Sequence, residues 1–242
     1  MAKQCVLDNV FDHFLKGTQV FRDREVLRND YIPEKLPHRE EQIRCFGEII
    51  TPALKSSRCS NIFIYGKTGT GKTAVVKYVL NRLTQKASEL GAPIKVCYVN
   101  CRLSGTEYRI LSNLCESMNI KVPFTGLALG EVFDRLKKGL SSRKLLLIVV
   151  LDEIDALVKD RGDVLLYELT RINEGLNCSK TSIVGISNDL RFKEFLDPRV
   201  LSSLSEEEIV FRPYDASELL DILLDRAREA FVEGVLLDGT VG

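Results

Sequence analysis

The sequence predicts an α/β fold in three layers, with a central parallel sheet of five strands between helices. Short apolar runs recur at residues 62–65, 94–99, 145–151, 182–186 and 208–211. Helical patterns separate them, as parallel strands joined by right-handed crossovers require. The first run, Ile62-Phe63-Ile64-Tyr65, leads straight into Gly66-Lys67-Thr68-Gly69-Thr70-Gly71-Lys72-Thr73, and Ala74 to Leu80 continues at helical periodicity. This is a complete G-x-x-x-x-G-K-[ST] phosphate-binding loop in its strand–loop–helix context.

The loop carries the first chemistry. Gly66, Gly69 and Gly71 let the backbone bend so that successive N–H groups face phosphate oxygens, and the following helix adds the positive end of its dipole. In such a loop Lys72 reaches the terminal phosphates and the Thr73 hydroxyl is a magnesium ligand.

Around this centre the elements follow in order. Residues 5–16 place Leu7, Val10, Phe11 and Phe14 on one face of an amphipathic helical arm that Gly17 stops. Tyr31 to Arg39 holds Pro33 and Pro37, which forbid a helix, so an extended strap is expected. Glu40 to Leu54 reads as a helix with Ile43, Phe46, Ile49 and Ile50 inward. The loop helix should run from Lys72 to Leu90 and end at Gly91, with Pro93 blocking continuation. Between Thr106 and Leu140 two helical patterns flank the turn Val122 to Leu127, where a minimal alternating fold needs one helix; the extra pair is an insertion. A helix over 162–173, a helical stretch over 191–204 broken at Pro198, and a helix over 216–231 complete the pattern.

Charge and cysteine content narrow the function classes. Lys+Arg 34 balances Asp+Glu 34, which excludes a generally basic nucleic-acid wrapper, so any DNA contact must be local. The seven cysteines form no C-x-x-C pair and no metal-spaced cluster, and read as reduced thiols of an intracellular protein. The longest apolar run, Leu145 to Leu151, is too short to span a bilayer, so no membrane role is expected.

Strand ends supply the remaining chemistry, because an open α/β sheet binds its ligand at their carboxyl edge. Asp152 suits a place in the magnesium shell and Glu153 suits polarisation of an attacking water; the alternative is a pair of capping carboxylates at a helix start. Asn188 is placed to bond the same water or the γ-phosphate, or is a turn residue after its strand. Arg199 is a candidate for a finger presented to a neighbouring subunit's nucleotide, or a solvated helix residue. No Asn-Lys-x-Asp guanine reader occurs, which favours ATP over GTP. His13 and His38 have no Ser or Cys partner signature and read as structural.

Taken together, Gly66 to Thr73, Leu151-Asp152-Glu153-Ile154-Asp155 and Gly185-Ile186-Ser187-Asn188-Asp189 resemble the Walker A, Walker B and sensor 1 motifs of the AAA+ ATPases. Tyr31 to Gln42, Leu169-Thr170-Arg171-Ile172-Asn173 and Asp197 to Leu204 narrow the resemblance to the archaeal origin recognition and cell division control replication initiators. The resemblance covers residues 5–242 and implies an AAA+ domain over 1–212, with its strap within 1–54 and an initiator-type insertion over 106–140. Residues 213–242 would begin a helical lid, with a winged-helix domain downstream of the chain.

For the site, the resemblance implies ATP or ADP with Mg2+, slow hydrolysis, and Lys72, Glu153, Asn188 and Arg199 as the catalytic set. It implies nucleotide contacts from Gly66, Lys67, Thr68, Gly69, Thr70, Gly71, Lys72, Thr73 and Ala74. Tyr31, Ile32, Pro33, Leu36, His38 and Arg39 of the strap, and Tyr214, join them, with Thr73 and Asp152 at the metal. Implied partners are double-stranded origin DNA, a replicative helicase and further copies of the chain on DNA, in a nucleoid-associated, cytoplasmic setting.

Arg135, Lys137, Lys138, Arg143 and Lys144 of the insertion supply phosphate contacts or form a solvated face. Ser202-Ser203 stands where many AAA+ relatives carry Ser-Arg, so a finger role rests on Arg199 alone. The rival readings are a clamp-loader-like or protein-remodelling ATPase, and a signalling nucleotide switch.

Overall fold

The computed structural model describes residues 20–28 and 31–235, together with Leu7 and Phe11. The rest of the arm expected over 5–16, and residues 236–242, lie outside the described residues. The chain divides into two compact units, Met1–Pro37 with Tyr214–Gly242, and His38–Pro213.

The larger unit is built on five strands, β1 (Ile62–Gly66), β2 (Ile94–Asn100), β3 (Leu146–Asp152), β4 (Lys180–Ser187) and β5 (Glu207–Phe211). They pair in the order β2-β3-β4-β1-β5. Every pairing is parallel. Burial explains the order: all seven residues of β3 and seven of eight in β4 are buried, as strands covered on both faces must be, whereas β2 and β5 alternate as edges do. Because β4 lies between β3 and β1, the carboxyl ends of all three meet at one edge of the sheet.

The helix Lys72–Leu90 follows β1 and stops at Gly91, whose φ of 66° few other residues tolerate. The insertion is the helix pair Glu107–Ser117 and Leu129–Ser141, whose Leu111, Leu114, Val132 and Leu136 join the core. A short helix, Cys101–Ser104, precedes it and starts from an Asn100 cap.

Three stretches differ from expectation. The helix beginning at Glu40 ends at Ile50, and a 3-10 turn, Thr51–Lys55, with Pro52 inside it, finishes the segment. A helix Ile154–Arg161 starts directly after the Asp152-Glu153 pair; the expected helix over 162–173 begins at Val164, ends at Thr170 and passes into a 3-10 turn. Gly162 at φ 81° ends the first helix and separates the two. Within 191–204, a 3-10 turn Phe192–Phe195 precedes the helix Pro198–Leu204, which the Asp197 side chain caps through Arg199 N.

In the smaller unit, a full capping box between Asp215 and Glu218 starts the helix Ala216–Ala230. Phe21 bridges to Phe231 with ring centroids 4.9 Å apart, and Arg22 N donates to Ala230 O at 2.7 Å. Tyr31 Oη donates to Glu229 Oε2 at 3.3 Å. The sequence-based division at 212/213 and the observed one therefore differ in where residues 1–37 fall: they share a unit with 214–242. Among the described residues no helix is long and apolar enough to cross a membrane. Cys45, Cys59, Cys97, Cys101, Cys115 and Cys178 are free thiols.

Candidate nucleotide-binding site

β1 ends at Gly66, where nothing larger fits: a Cβ would sit 2.4 Å from Phe211 O of the neighbouring β5. Gly69 and Gly71 hold φ values of 80° and 84°, in the left-handed region that other residues enter at a cost of about 1–2 kcal/mol. Gly71 is also the N-cap of Lys72–Leu90 and supplies no side-chain acceptor, so the first-turn N–H groups are left to an anion. Thr70 Oγ1 donates to Lys67 O at 2.8 Å and closes the loop on itself.

Arg39 supports the loop from beneath. Its side chain is fully buried, and its Nε donates to Thr70 O at 2.9 Å while Nη2 donates to Arg212 O at 2.8 Å. It also lies over the Phe211 ring, 5.6 Å from the centroid. The arginine thus ties the loop to the end of β5.

Lys72 is buried and folded back onto the loop, with Nζ donating to Lys67 O at 2.7 Å and Gly66 O at 2.9 Å. Burial pulls its ammonium below the ordinary lysine range, against the opposing pull of Asp152, Asp155 and Glu153. The cation is thus held at the loop mouth by weak neutral acceptors, which a phosphate outcompetes.

Asp152 and Glu153, at the end of β3, have distinct settings. Asp152 Oδ2 accepts from Thr73 Oγ1 at 2.8 Å and from the Tyr98 hydroxyl, and Oδ1 accepts from Glu153 N at 2.9 Å. Glu153 sits at φ 53°, ψ 44°, a left-handed conformation that turns the chain from strand into helix. It is the N-cap residue but makes no side-chain cap bond, which sets aside the capping alternative for it. Instead its Oε1 accepts from Asn100 Nδ2 at 3.1 Å, and its Oε2 pairs with Arg102 Nε at 3.2 Å.

Asp155 is a site residue to which the sequence reading gave no task. Its buried Oδ1 accepts from Ser187 Oγ and from Asn188 N, both at 3.1 Å, and so fixes the end of β4. Ser187 pairs with Tyr65 in register, so Asn188 follows beside Gly66 at the carboxyl edge. Tyr98, Asn100 and Arg102 were also missed; the only sequence signal was their place at the end of an apolar run, the same signal that marks Asp152.

Arg199 stands apart on the surface. A fork of two 3.1 Å bonds from Nε and Nη2 to Asp197 holds it, above the Tyr167 ring at 5.5 Å. The fork raises the Arg199 pKa further and holds the Asp197 carboxyl below the usual carboxylate range. Lys72, Thr73, Asp152, Glu153 and Asn188 belong to the His38–Pro213 unit; Tyr31, Ile32, Pro33, Leu36 and Tyr214 belong to the other.

In the insertion, Arg135 pairs with Glu131 at 2.8 Å, Lys137 lies over the Phe133 ring, and Arg143 donates to Met118 O. Lys138 and Lys144 remain exposed, without an ion pair among the described residues. A cavity of about 1220 Å3 opens beside the insertion, with Tyr98, Arg109, Lys121 and Phe124 in its wall.

Comparison with known proteins agrees with this geometry. The family model described as AAA domain matches residues 55–187, from before β1 to the end of β4. The ORC1-type DNA replication protein of Pyrococcus horikoshii is 51% identical over 244 residues, covering 99% of this chain and 58% of that protein. The chain therefore spans little more than half the length of that relative. The solved structure of Aeropyrum pernix ORC1 in complex with DNA matches with a TM-score of 0.87 at 51% identity, covering 92% of this chain and 57% of that one. Cdc6p from Pyrobaculum aerophilum matches with a TM-score of 0.75 at 26% identity, covering 89% of this chain and 56% of that one. With the phosphate loop, the Asp152-Glu153 strand end and the β2-β3-β4-β1-β5 sheet in one unit, the chain belongs to the AAA domain family, beside the archaeal ORC1-type DNA replication proteins.

Proposed function

We propose that this chain is the ATPase part of a DNA replication initiator, which binds origin duplex as an ATP/ADP switch, hydrolyses ATP slowly and helps recruit a replicative helicase. One observation carries the reading: the Thr73–Asp152 hydrogen bond joins the phosphate loop to the end of β3, in a chain half identical to ORC1-type proteins. The DNA-bound relative from Aeropyrum pernix supports the duplex as partner.

In this reading the first-turn N–H groups and Lys72 bind the phosphates. Thr73 keeps hydroxyl lone pairs free while donating to Asp152, so the donor set is all oxygen and suits a hard divalent cation. When bound, magnesium neutralises charge on the phosphates. Glu153 accepts a proton from the attacking water after release from Asn100 and Arg102, and Asn188, oriented through Asp155, positions the γ-phosphate. Arg199, exposed and pre-oriented by Asp197, is presented to a neighbouring copy. Lys138 and Lys144 meet duplex phosphates.

The test is duplex binding by this chain within a protein of its relatives' full length, with ADP or a non-hydrolysable ATP analogue, across a salt series. Preference for origin over random duplex that changes with nucleotide supports the initiator. Equal binding to both sequences in both states moves the function to a protein-remodelling ATPase.

A further inference from the structure

We propose that Tyr98 is a positioning residue for the metal-bound nucleotide: its hydroxyl holds Asp152 in the orientation that Thr73 needs. The inference deepens the nucleotide-site reading above and rests on it.

The placement follows from the sheet. On β2, Tyr98 lies opposite Val150 and Asn100 lies opposite Asp152, so Tyr98 and Asn100 share a face and Tyr98 is the diagonal neighbour of Asp152. Its hydroxyl therefore reaches Asp152 Oδ2, while Asn100 reaches past Asp152 to Glu153. Oδ2 accepts from two hydroxyls that arrive from different elements, Thr73 at the start of the loop helix and Tyr98 from the edge strand. A carboxylate with one such donor keeps a free torsion; with donors on both sides and Glu153 N on Oδ1, Asp152 has one orientation.

Tyr98 is itself fixed from the loop helix. Lys77, one turn after Thr73, sets its ammonium 4.7 Å from the centre of the Tyr98 ring. Thr73 and Lys77 on one helix and Asp152 and Tyr98 on two strands thus form a closed circuit. Tyr98 is 37% exposed and lines the cavity beside the insertion, so the residue is not there to fill the core. What it contributes is the hydroxyl.

The experiment compares wild type with Tyr98→Phe, which keeps the ring. Mn2+ is titrated into the protein–ADP complex and followed by electron paramagnetic resonance, and ADP affinity is measured separately in chelator. The expected result is about tenfold weaker Mn2+ binding in Tyr98→Phe, with metal-free ADP affinity and melting temperature unchanged. A Mn2+ affinity within about twofold of wild type overturns the proposal, as does an equal loss of metal-free ADP binding, which would place Tyr98 in support of the whole loop. If wild type takes up ADP neither with nor without metal, the nucleotide-site reading itself fails, and this inference falls with it.

Discussion

The Thr73 hydroxyl donates to Asp152 Oδ2 at 2.8 Å, joining residues 79 positions apart in sequence. Thr73 lies in the first turn of the loop helix and Asp152 ends β3, so the bond joins a helix to a strand end at the carboxyl edge of the sheet. Replacing Thr73 with Val removes the hydroxyl and keeps the shape. Thr73→Val should weaken nucleotide binding by about tenfold or more in magnesium and leave binding in chelator unchanged. Equal affinities for wild type and variant in magnesium would remove Thr73 from the metal.

Glu153 is tied by Asn100 and Arg102, and must leave both partners before its carboxylate can turn to an attacking water. One such bond contributes about 1 kcal/mol net, so Asn100→Ala should raise the rate of phosphate release at saturating ATP by up to about fivefold, with nucleotide affinity unchanged. A rate below wild type would mean that Asn100 holds Glu153 in its working position. Glu153→Gln should abolish release while nucleotide still binds.

Gly66 and Gly69 separate close approach from backbone conformation. A Cβ at Gly66 meets a backbone oxygen at 2.4 Å, whereas a Cβ at Gly69 meets nothing within 4 Å. Urea unfolding should therefore show Gly66→Ala destabilised by about 3 kcal/mol or more, since β1 and β5 must part. Gly69→Ala should lose only the left-handed penalty of about 1–2 kcal/mol. Similar losses for both would contradict the contact with Phe211.

Burial lowers the Lys72 pKa in the free site, and bound phosphate raises it again. As pH rises through the lowered value, the free protein loses the proton while the complex keeps it, so nucleotide affinity falls where an exposed lysine would still be charged. Calorimetry in buffers of different ionisation enthalpy should show net proton uptake on binding in that range. Proton release would contradict the sign of the shift.

Much of this was legible locally. The helix Lys72–Leu90 and its stop at Gly91 were readable because its start, periodicity and stop all lie within the segment. The extra helical pair between Thr106 and Leu140 appeared at its expected place for the same reason. What failed depended on a single torsion or on distant partners. Glu153 at φ 53° lets a helix begin with no linking loop after β3, and no pattern announces a left-handed glutamate. Tyr98, Asn100 and Arg102 gain their roles only when β2 is laid against β3 in register. The bonds from Arg39 to Thr70 O and Arg212 O likewise depend on residues 31 and 173 positions away, which no local pattern announces.

The central claim is that the Gly66–Thr73 loop binds nucleotide phosphates through Lys72. The most direct measurement is calorimetric titration of magnesium ADP into wild type and Lys72→Ala, with circular dichroism confirming that both are folded. Saturable one-to-one binding in wild type and a loss of about 100-fold or more in Lys72→Ala, in line with one charge-assisted contact of about 3 kcal/mol, is the predicted result. Equal binding by both proteins, or none by the folded wild type, would contradict it.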